Sequence, residues 1–464
     1  MSTKKLSRRS FLKMCSLAAA GAVLAGCAPK ATQSPAQPTQ AEEEPTDVPS
    51  SDQQVTIRWY ANADTTRNNW MEQVAIPKFK EIKPNYTIET IIVPWDEFDP
   101  KLTNMFAAGD LPEVWGNWGS TGYGEYALRG MCIYVDDYVD ADAEYLNLKD
   151  IPEAAIEGVR IQGKLVGLPL YILGTYTYYN KEIFENAGIP FPPSNWDDKS
   201  WDWAKMLEVA KRLTKDYDNP ETGQYGVQLS LGSPEELPWL WGFEIWPPDA
   251  IKTSKTKEIY FTDPKVIESF QAQADLVCKH KVSPDAAISS AISAAGDPFQ
   301  VGKVAMNMSG GWGFWGLKEV EGSFRWGAAA LPRGPYGDIK DALYADPILI
   351  SSQTKLKDEA WQFVRYIYSE EGMRDFSVAT WSPPSRQSVL PDWVNLWDES
   401  LRAELTESLQ GSWKYGEVTP WNRIAGYSMF YDAIYSELDA VYLCEAPMSD
   451  VVAVIDAKVE EILA

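Results

Sequence analysis

Residues 55–93 read VTIRWYANADTTRNNWMEQVAIPKFKEIKPNYTIETIIV, and the period of the apolar positions changes twice within them. Val55 to Tyr60 alternates and is rich in β-branched and aromatic residues, the pattern of a strand. Met71, Val74, Phe79 and Ile82 then recur at helical spacing. Pro77 falls inside that run and must kink the helix or sit in it at a cost. Tyr86 to Val93 is a second strand. Phe98 to Ala108 follows as a helix closed by Gly109, Glu113 to Gly116 as a short buried strand, and Tyr126 to Arg129 as the start of another helix. Strand and helix alternate, as in a parallel sheet covered on both faces. Such sheets bind ligands in the crevice beyond the carboxyl ends of their strands, so the loops after the strands are where candidate residues are sought.

The pattern resumes further along. Trp203, Met206, Leu207 and Ala210 line one helix face. Ala360, Phe363, Val364, Ile367 and Tyr368 line another, and Val451, Ile455, Val459 and Ile462 line the last. Gly226 to Leu229 reads as a strand. About 410 residues follow residue 54, too many for one typical core and suited to two domains. No hydrophobic run in that body is long and uncharged enough to span a bilayer.

The formal net charge is −24. Such a surface repels phosphate backbones, which excludes nucleic acid as a partner. The chain has a single histidine, His280, read as a surface residue, and no CxxC, so neither a zinc site of the usual kind nor another metal site is expected. Cys132, Cys278 and Cys444 in the body permit at most one disulfide.

The N-terminus is of another kind. Lys4, Lys5, Arg8, Arg9 and Lys13 precede an apolar run from Met14 to Ala25 that ends in small residues, the marks of a removable signal peptide. Ser7 to Lys13, with Arg8 and Arg9, resembles the twin-arginine export motif, and Leu24-Ala25-Gly26-Cys27 resembles the bacterial lipobox. Residues 1–26 are thus read as signal. Cys27 is read as the lipidated residue, anchoring the chain to the outer face of a membrane, and 27–54 as an extended, core-less tether.

Five segments of the body, in order, resemble those of the maltose-binding class of extracellular solute-binding proteins, family 1. They are Phe106 to Val114; Gly163 to Leu170 with Tyr179-Asn180-Lys181; Pro192 to Trp196; Gly302 to Met306; and Ser309 to Trp312. The resemblance implies an α/β, two-lobed, type II periplasmic-binding-protein fold with a ligand cleft between the lobes. It implies three hinge crossings, placed near 170–174, 329–333 and 379–386. Lobe 1 is then 55–171 plus 332–382, and lobe 2 is 172–331 plus 383–464. It further implies a monomeric, exported bacterial receptor, not an enzyme. The receptor closes on a small solute by hinge motion and delivers it to the permease of an ABC importer, with no cofactor.

The body is rich in aromatics, with 20 Trp and 23 Tyr in the whole chain, many beside Gly, Pro or Asn. Sugars stack their C–H faces on such rings and bond their hydroxyls to planar polar side chains, so a carbohydrate is the expected ligand. The candidates are Asn62 and Asp64 after the first strand, with helix capping as their alternative role. Asn117, Trp118 and Ser120 lie in the loop after Gly116, with packing under the loop as the alternative. Trp239 and Trp241 follow the 226–229 strand. Gly311 and Trp312 are placed at the cleft by the resemblance, the glycine letting backbone approach a ligand. Tyr176, Arg386, Trp421 and Tyr427 have hinge or core packing as the alternative.

The rival from another class is a secreted carbohydrate-active enzyme, which needs two carboxylates flanking the scissile bond. The adjacent pairs Asp136-Asp137 and Glu235-Glu236 read instead as solvated turns. A pocket for peptides or glycerol phosphates in the same fold is a third reading, with Arg67 and Arg386 as possible phosphate partners.

Overall fold

The computed structural model describes residues 54–463 apart from 117–120, 234, 321–322, 338 and 421, with backbone alone at 248 and 251. The signal with Arg8 and Arg9, Cys27, and all but the last residue of the tether lie outside the described residues.

β1 (Val55–Asn62) and β2 (Tyr86–Val93) run parallel, Val55 opposite Tyr86 and Asn62 opposite Val93. Ile57 and Trp59, on one face of β1, are buried, and Trp59 meets Phe363 edge-on at 6.1 Å. Between the strands, helix Thr65–Trp70 runs through a π-turn, Met71–Ala75, into helix Ile76–Ile82. The wide turn falls directly before Pro77, the residue expected to disturb this helix. The re-spacing also turns Ile82 away from the core. It is 56% exposed while Phe79 is buried, contrary to the uniform helical face expected.

Helix Phe98–Ala108 ends on Gly109 at φ 73°, as read. β3 (Val114–Gly116) pairs parallel with β1. The next helix is Tyr123–Leu128, starting three residues before the expected Tyr126. Tyr123 belongs to it because its ring is buried and its hydroxyl donates to the Gly158 carbonyl at 2.8 Å.

A small hairpin, β4 (Arg160–Ile161) with β5 (Lys164–Leu165), precedes the crossing. β6 (Pro169–Leu173) pairs with β11 (Asp341–Ile350), whose end joins β3. The first sheet has the order β12-β11-β3-β1-β2, with β6 also on β11. The second has the order β10-β7-β9-β8, from β7 (Thr175–Asn180), β8 (Gln228–Ser230), β9 (Met306–Gly310) and β10 (Trp326–Ala329). β8 starts two residues after the 226–229 reading, because the Gly226 and Val227 amides both go to the Val282 carbonyl. β12 (Gly416–Val418) pairs with Asp341–Leu343 of the first sheet, although residues 383–464 were assigned to the second lobe.

The chain passes from one sheet to the other at Gly174. A Cβ there would lie 1.9 Å from Ser412 Oγ and 2.6 Å from Asp341 Oδ2, so no larger residue fits. All six residues of β7 are buried, its sheet being covered on both faces. Helix Lys357–Tyr368 buries the stripe Ala360, Phe363, Val364, Ile367 and Tyr368 as its spacing requires. Each large side chain of that kind contributes ~1.5–3 kcal/mol.

Helices Pro264–Cys278, Tyr427–Tyr442 and Met448–Leu463 form a separate apolar cluster around Phe270, Ile434 and Ile455. Cys278 and Cys444 are joined by a disulfide across 166 residues, the one bridge the body's three cysteines allow. Cys132 remains a buried thiol whose pKa burial pushes up to about 12. His280 is partly buried just past helix Pro264–Cys278. Among the described residues no helix is long and apolar enough to cross a membrane.

Candidate functional site

Three segments meet where the two sheets face each other. The loop after β1 enters helix Thr65–Trp70 with Asp64 as its cap, Oδ1 accepting from the Arg67 amide at 2.8 Å and Oδ2 pairing with Arg67 Nη2 at 3.1 Å. From the second sheet, β9 leads through Gly311 and Trp312 into helix Gly313–Leu317, which carries Trp315, followed by Lys318. The third segment is Thr380-Trp381-Ser382, at the end of helix Glu370–Thr380. Asp64, Thr66, Arg67, Trp315, Lys318 and Trp381 line a cavity of about 130 Å³ between the lobes.

Trp381 has φ 59°, a left-handed conformation that a bulky residue adopts only when its surroundings impose it. Here Trp393 Nε1 donates to the Trp381 carbonyl at 3.1 Å and Trp397 packs edge-on at 5.0 Å. The indole is left partly exposed, with Lys318 Nζ 4.9 Å from its centroid. Trp315 Nε1 donates to Ser382 Oγ at 3.2 Å, fixing a second indole beside it. With Glu319 also on its wall, the cavity thus offers ring faces, two carboxylates and two cations.

Trp312 stands nearby, partly exposed, with Tyr344 edge-on at 4.9 Å. It also lines a second recess of about 160 Å³ with Ser230, Asn307 and Ser309. Asn307 is 7% exposed and its Oδ1 has no hydrogen-bond partner among the described residues. A buried acceptor of this kind is costly unless a ligand or water satisfies it.

Beneath Trp312 and Tyr344 lies a polar floor. Glu236 accepts from Thr175 Oγ1 at 2.6 Å, Tyr344 Oη at 2.7 Å and the Gly232 amide at 2.6 Å. Glu235 pairs with the Tyr427 hydroxyl. Asp341 accepts from the Thr175 amide at 2.9 Å and from the Ser412 hydroxyl. Glu235 and Glu236 are therefore not the solvated turn expected but buried groups, 6% and 1% exposed. Apart from the Gly232 amide, their hydrogen-bond partners come from far along the chain. Asp136, by contrast, stays at the surface, paired with Arg160.

Burial raises the pKa of all three carboxyls, and of Asp341 well above its ordinary value, against the hydrogen bonds that favour the ionised form. A raised folded-state pKa means that the stability these groups contribute is complete below their ordinary values of 3.8 and 4.5 and is lost as pH rises through the folded values. The melting temperature should therefore fall as pH rises above those ordinary values, and fall less in Asp341→Asn, which keeps the shape and cannot ionise. Equal falls in the two proteins would rule Asp341 out as a source.

The expected site residues divide. Asp64 caps its helix, the alternative role considered for it, and also lines the cavity between the lobes. Trp312 and Tyr427 stand partly exposed near the floor just described, and Asn62 ends β1 with 2% exposure. Gly311 lies against the crossing, where a Cβ would touch Leu173 at 3.0 Å. Four residues leave the contact set. Tyr176 is fully buried against Tyr178 and Phe314. Trp239 is buried and donates Nε1 to the Asp341 carbonyl, and Trp241 packs edge-on against Trp203. Arg386 is 1% exposed and held by the Leu146, Asn147 and Tyr368 carbonyls and Asp150. Asn117, Trp118, Ser120 and Trp421 lie outside the described residues.

Trp315, Lys318 and Trp381, which line the cavity, are not among the residues expected from the sequence. The available signal for Trp381 was an aromatic residue at a helix end directly before Ser-Pro-Pro. Among the described residues no cluster of three His, Cys, Asp or Glu side chains is placed to hold a metal ion.

Two α/β lobes joined by crossing strands, with a polar and aromatic cavity where they meet, define a solute receptor of the type II periplasmic-binding-protein fold. Bacterial extracellular solute-binding proteins match residues 75–400, and the chain belongs to that family. A binding protein of Brucella abortus is 24% identical over 400 residues, 83% of this chain and 90% of its own length. The mannitol-binding protein of Pseudomonas aeruginosa is 27% identical over 177 residues, 38% of this chain and 36% of its own. An ABC substrate-binding protein of Listeria monocytogenes, solved in complex with cycloalternan, superposes with a TM-score of 0.72 at 19% identity, over 88% of this chain and 99% of that one.

Proposed function

We propose that this protein is the extracellular substrate-binding component of an ABC importer, tethered through a lipid on Cys27, and that it takes a carbohydrate between its lobes and hands it to a membrane permease. The observation that carries this is the cavity lined from both lobes and from the Trp381 segment between them, with two partly exposed indoles, Asp64, Glu319, Arg67 and Lys318. Indole faces receive the C–H face of a pyranose, and charged and hydroxyl groups bond its rim. A relative that binds mannitol and a structural neighbour that holds cycloalternan support a polyhydroxylated ligand. Closure of the lobes would bring Asp64 and Arg67 against Trp315 and Lys318 around it.

The test is a thermal-shift screen of the purified chain against oligosaccharides, polyols, peptides and glycerol phosphates. A ligand at a hundredfold its Kd adds ~2.7 kcal/mol. A carbohydrate should raise the melting temperature and be recovered intact; its steady conversion to product would make the protein an enzyme. Trp381→Ala should weaken that ligand by about thirtyfold or more, the loss of ~2 kcal/mol typical of an aromatic anchor. Wild-type affinity in this variant would remove the cavity from the site. Labelled palmitate should enter the wild-type chain in bacteria and not Cys27→Ala.

A further inference from the structure

A further concavity lies in the second lobe, outside the cavity between the lobes. It is a groove of about 530 Å³ between helices Pro264–Cys278, Ala286–Ser293 and Tyr427–Tyr442. That volume is in the ~300–1,000 Å³ range of small-molecule sites. Its floor is β8, an edge strand paired only with β9 among the described strands. Two of its walls are tied together by the Cys278–Cys444 bridge.

The lining has a definite chemistry. Tyr435 and Tyr442 supply ring surface, Gln228 an amide, and Asp285 and Asp439 carboxylates, with no lysine or arginine among the lining residues. Gln228 Oε1 and Tyr442 Oη are buried polar atoms without a hydrogen-bond partner among the described residues. Phosphates and acids are excluded by the charge. A neutral ring bearing hydroxyls satisfies both the ring faces and the acceptors.

The groove adjoins the aromatic pair of the candidate site. Leu231 and Ser233 line it, and Gly232 between them lies against that pair. A Cβ on Gly232 would come within 2.4 Å of Tyr344 Oη and 2.9 Å of Trp312 Cη2. One loop therefore separates Trp312 and Tyr344 from the groove.

We propose that the groove is a distal saccharide subsite, occupied by the far end of an oligosaccharide whose near end lies at Trp312. The ligand is then a chain of several sugar units and not a single sugar or polyol. The inference rests on the carbohydrate reading of the cleft and adds the length and path of the ligand.

Calorimetric titration of the full-length protein tests it, with maltose, cellobiose, mannobiose and xylobiose and their homologues up to five units as probes. For the series that binds, affinity should rise about tenfold or more from two units to five. Ala286→Trp, a substitution at an exposed residue on the groove, should abolish that gain and leave the disaccharide within about twofold. Asp439→Ala, also at an exposed position, should weaken the longer sugars alone, whereas Trp381→Ala should weaken short and long alike. An affinity that does not grow with length, or a gain that persists in Ala286→Trp, overturns the subsite and leaves the cleft reading standing. No binding of any probe overturns both.

Discussion

Reduction of the Cys278–Cys444 bridge should destabilise the protein by about 5 kcal/mol, the largest single effect expected. The bond closes a loop of 166 residues, and constraining an unfolded chain over that separation is worth ~5 kcal/mol on the loop-entropy account. Its context does not reduce the effect. The bridge fastens helix Pro264–Cys278 to the turn after Tyr427–Tyr442, within an apolar cluster distinct from the main core. Once the bond is cut, the three helices keep their contacts but their unfolded segments regain the freedom of the long loop. Urea unfolding with and without dithiothreitol measures this. The midpoint should drop with reductant in the wild type and stay put in the Cys278→Ser/Cys444→Ser variant, which should already match the reduced protein. A wild-type midpoint indifferent to reductant would contradict the bridge.

The second large effect is expected at Arg386. Nη2 donates to the Leu146 and Tyr368 carbonyls at 2.6 and 2.8 Å, and Nη1 reaches the Asn147 carbonyl and Asp150 at 3.3 and 3.4 Å. Asp150 in turn accepts from the Ser388 amide and hydroxyl at 2.8 and 2.7 Å. One guanidinium thus holds the segment after Trp381 to the turn at 146–150. Arg386→Ala leaves three carbonyls without this donor and Asp150 without its cation. Breaking a buried pair from one side costs ~3–5 kcal/mol. The variant should unfold at correspondingly lower urea, while its folded fraction binds ligand with near wild-type affinity. The opposite result, unchanged stability with lost binding, would return Arg386 to the ligand contacts and reopen a phosphate-bearing solute.

That assignment also shows what the amino-acid order can and cannot reveal. Periodic features were legible: the stripe Ala360 to Tyr368, the stop at Gly109 and the strand before Asn62 depend on neighbours in sequence. The fold followed from these together with the family segments. The site was legible only in part, because exposure is decided by distant residues. β7 is buried on both faces, so no alternation marks Tyr176 as interior. Glu235 and Glu236 look like a solvated pair until Thr175, Tyr344 and Tyr427 are brought to them. Arg386 and Trp381 stand five residues apart in one segment, and only packing tells which of them faces the cavity.

The pairing of β11, continuous along the strand except for a register shift between Ala345 and Pro347, has a mechanical consequence. The strand is held at its start by β12, along its middle by β6 and at its end by β3, so hydrogen bonds accompany it from the crossing into the sheet. A strand bonded along its edges resists bending within the plane of those bonds, which would stretch them, and yields across that plane, which barely alters them. β11 therefore acts as a leaf spring. Bending of β11 has one compliant direction and one stiff one.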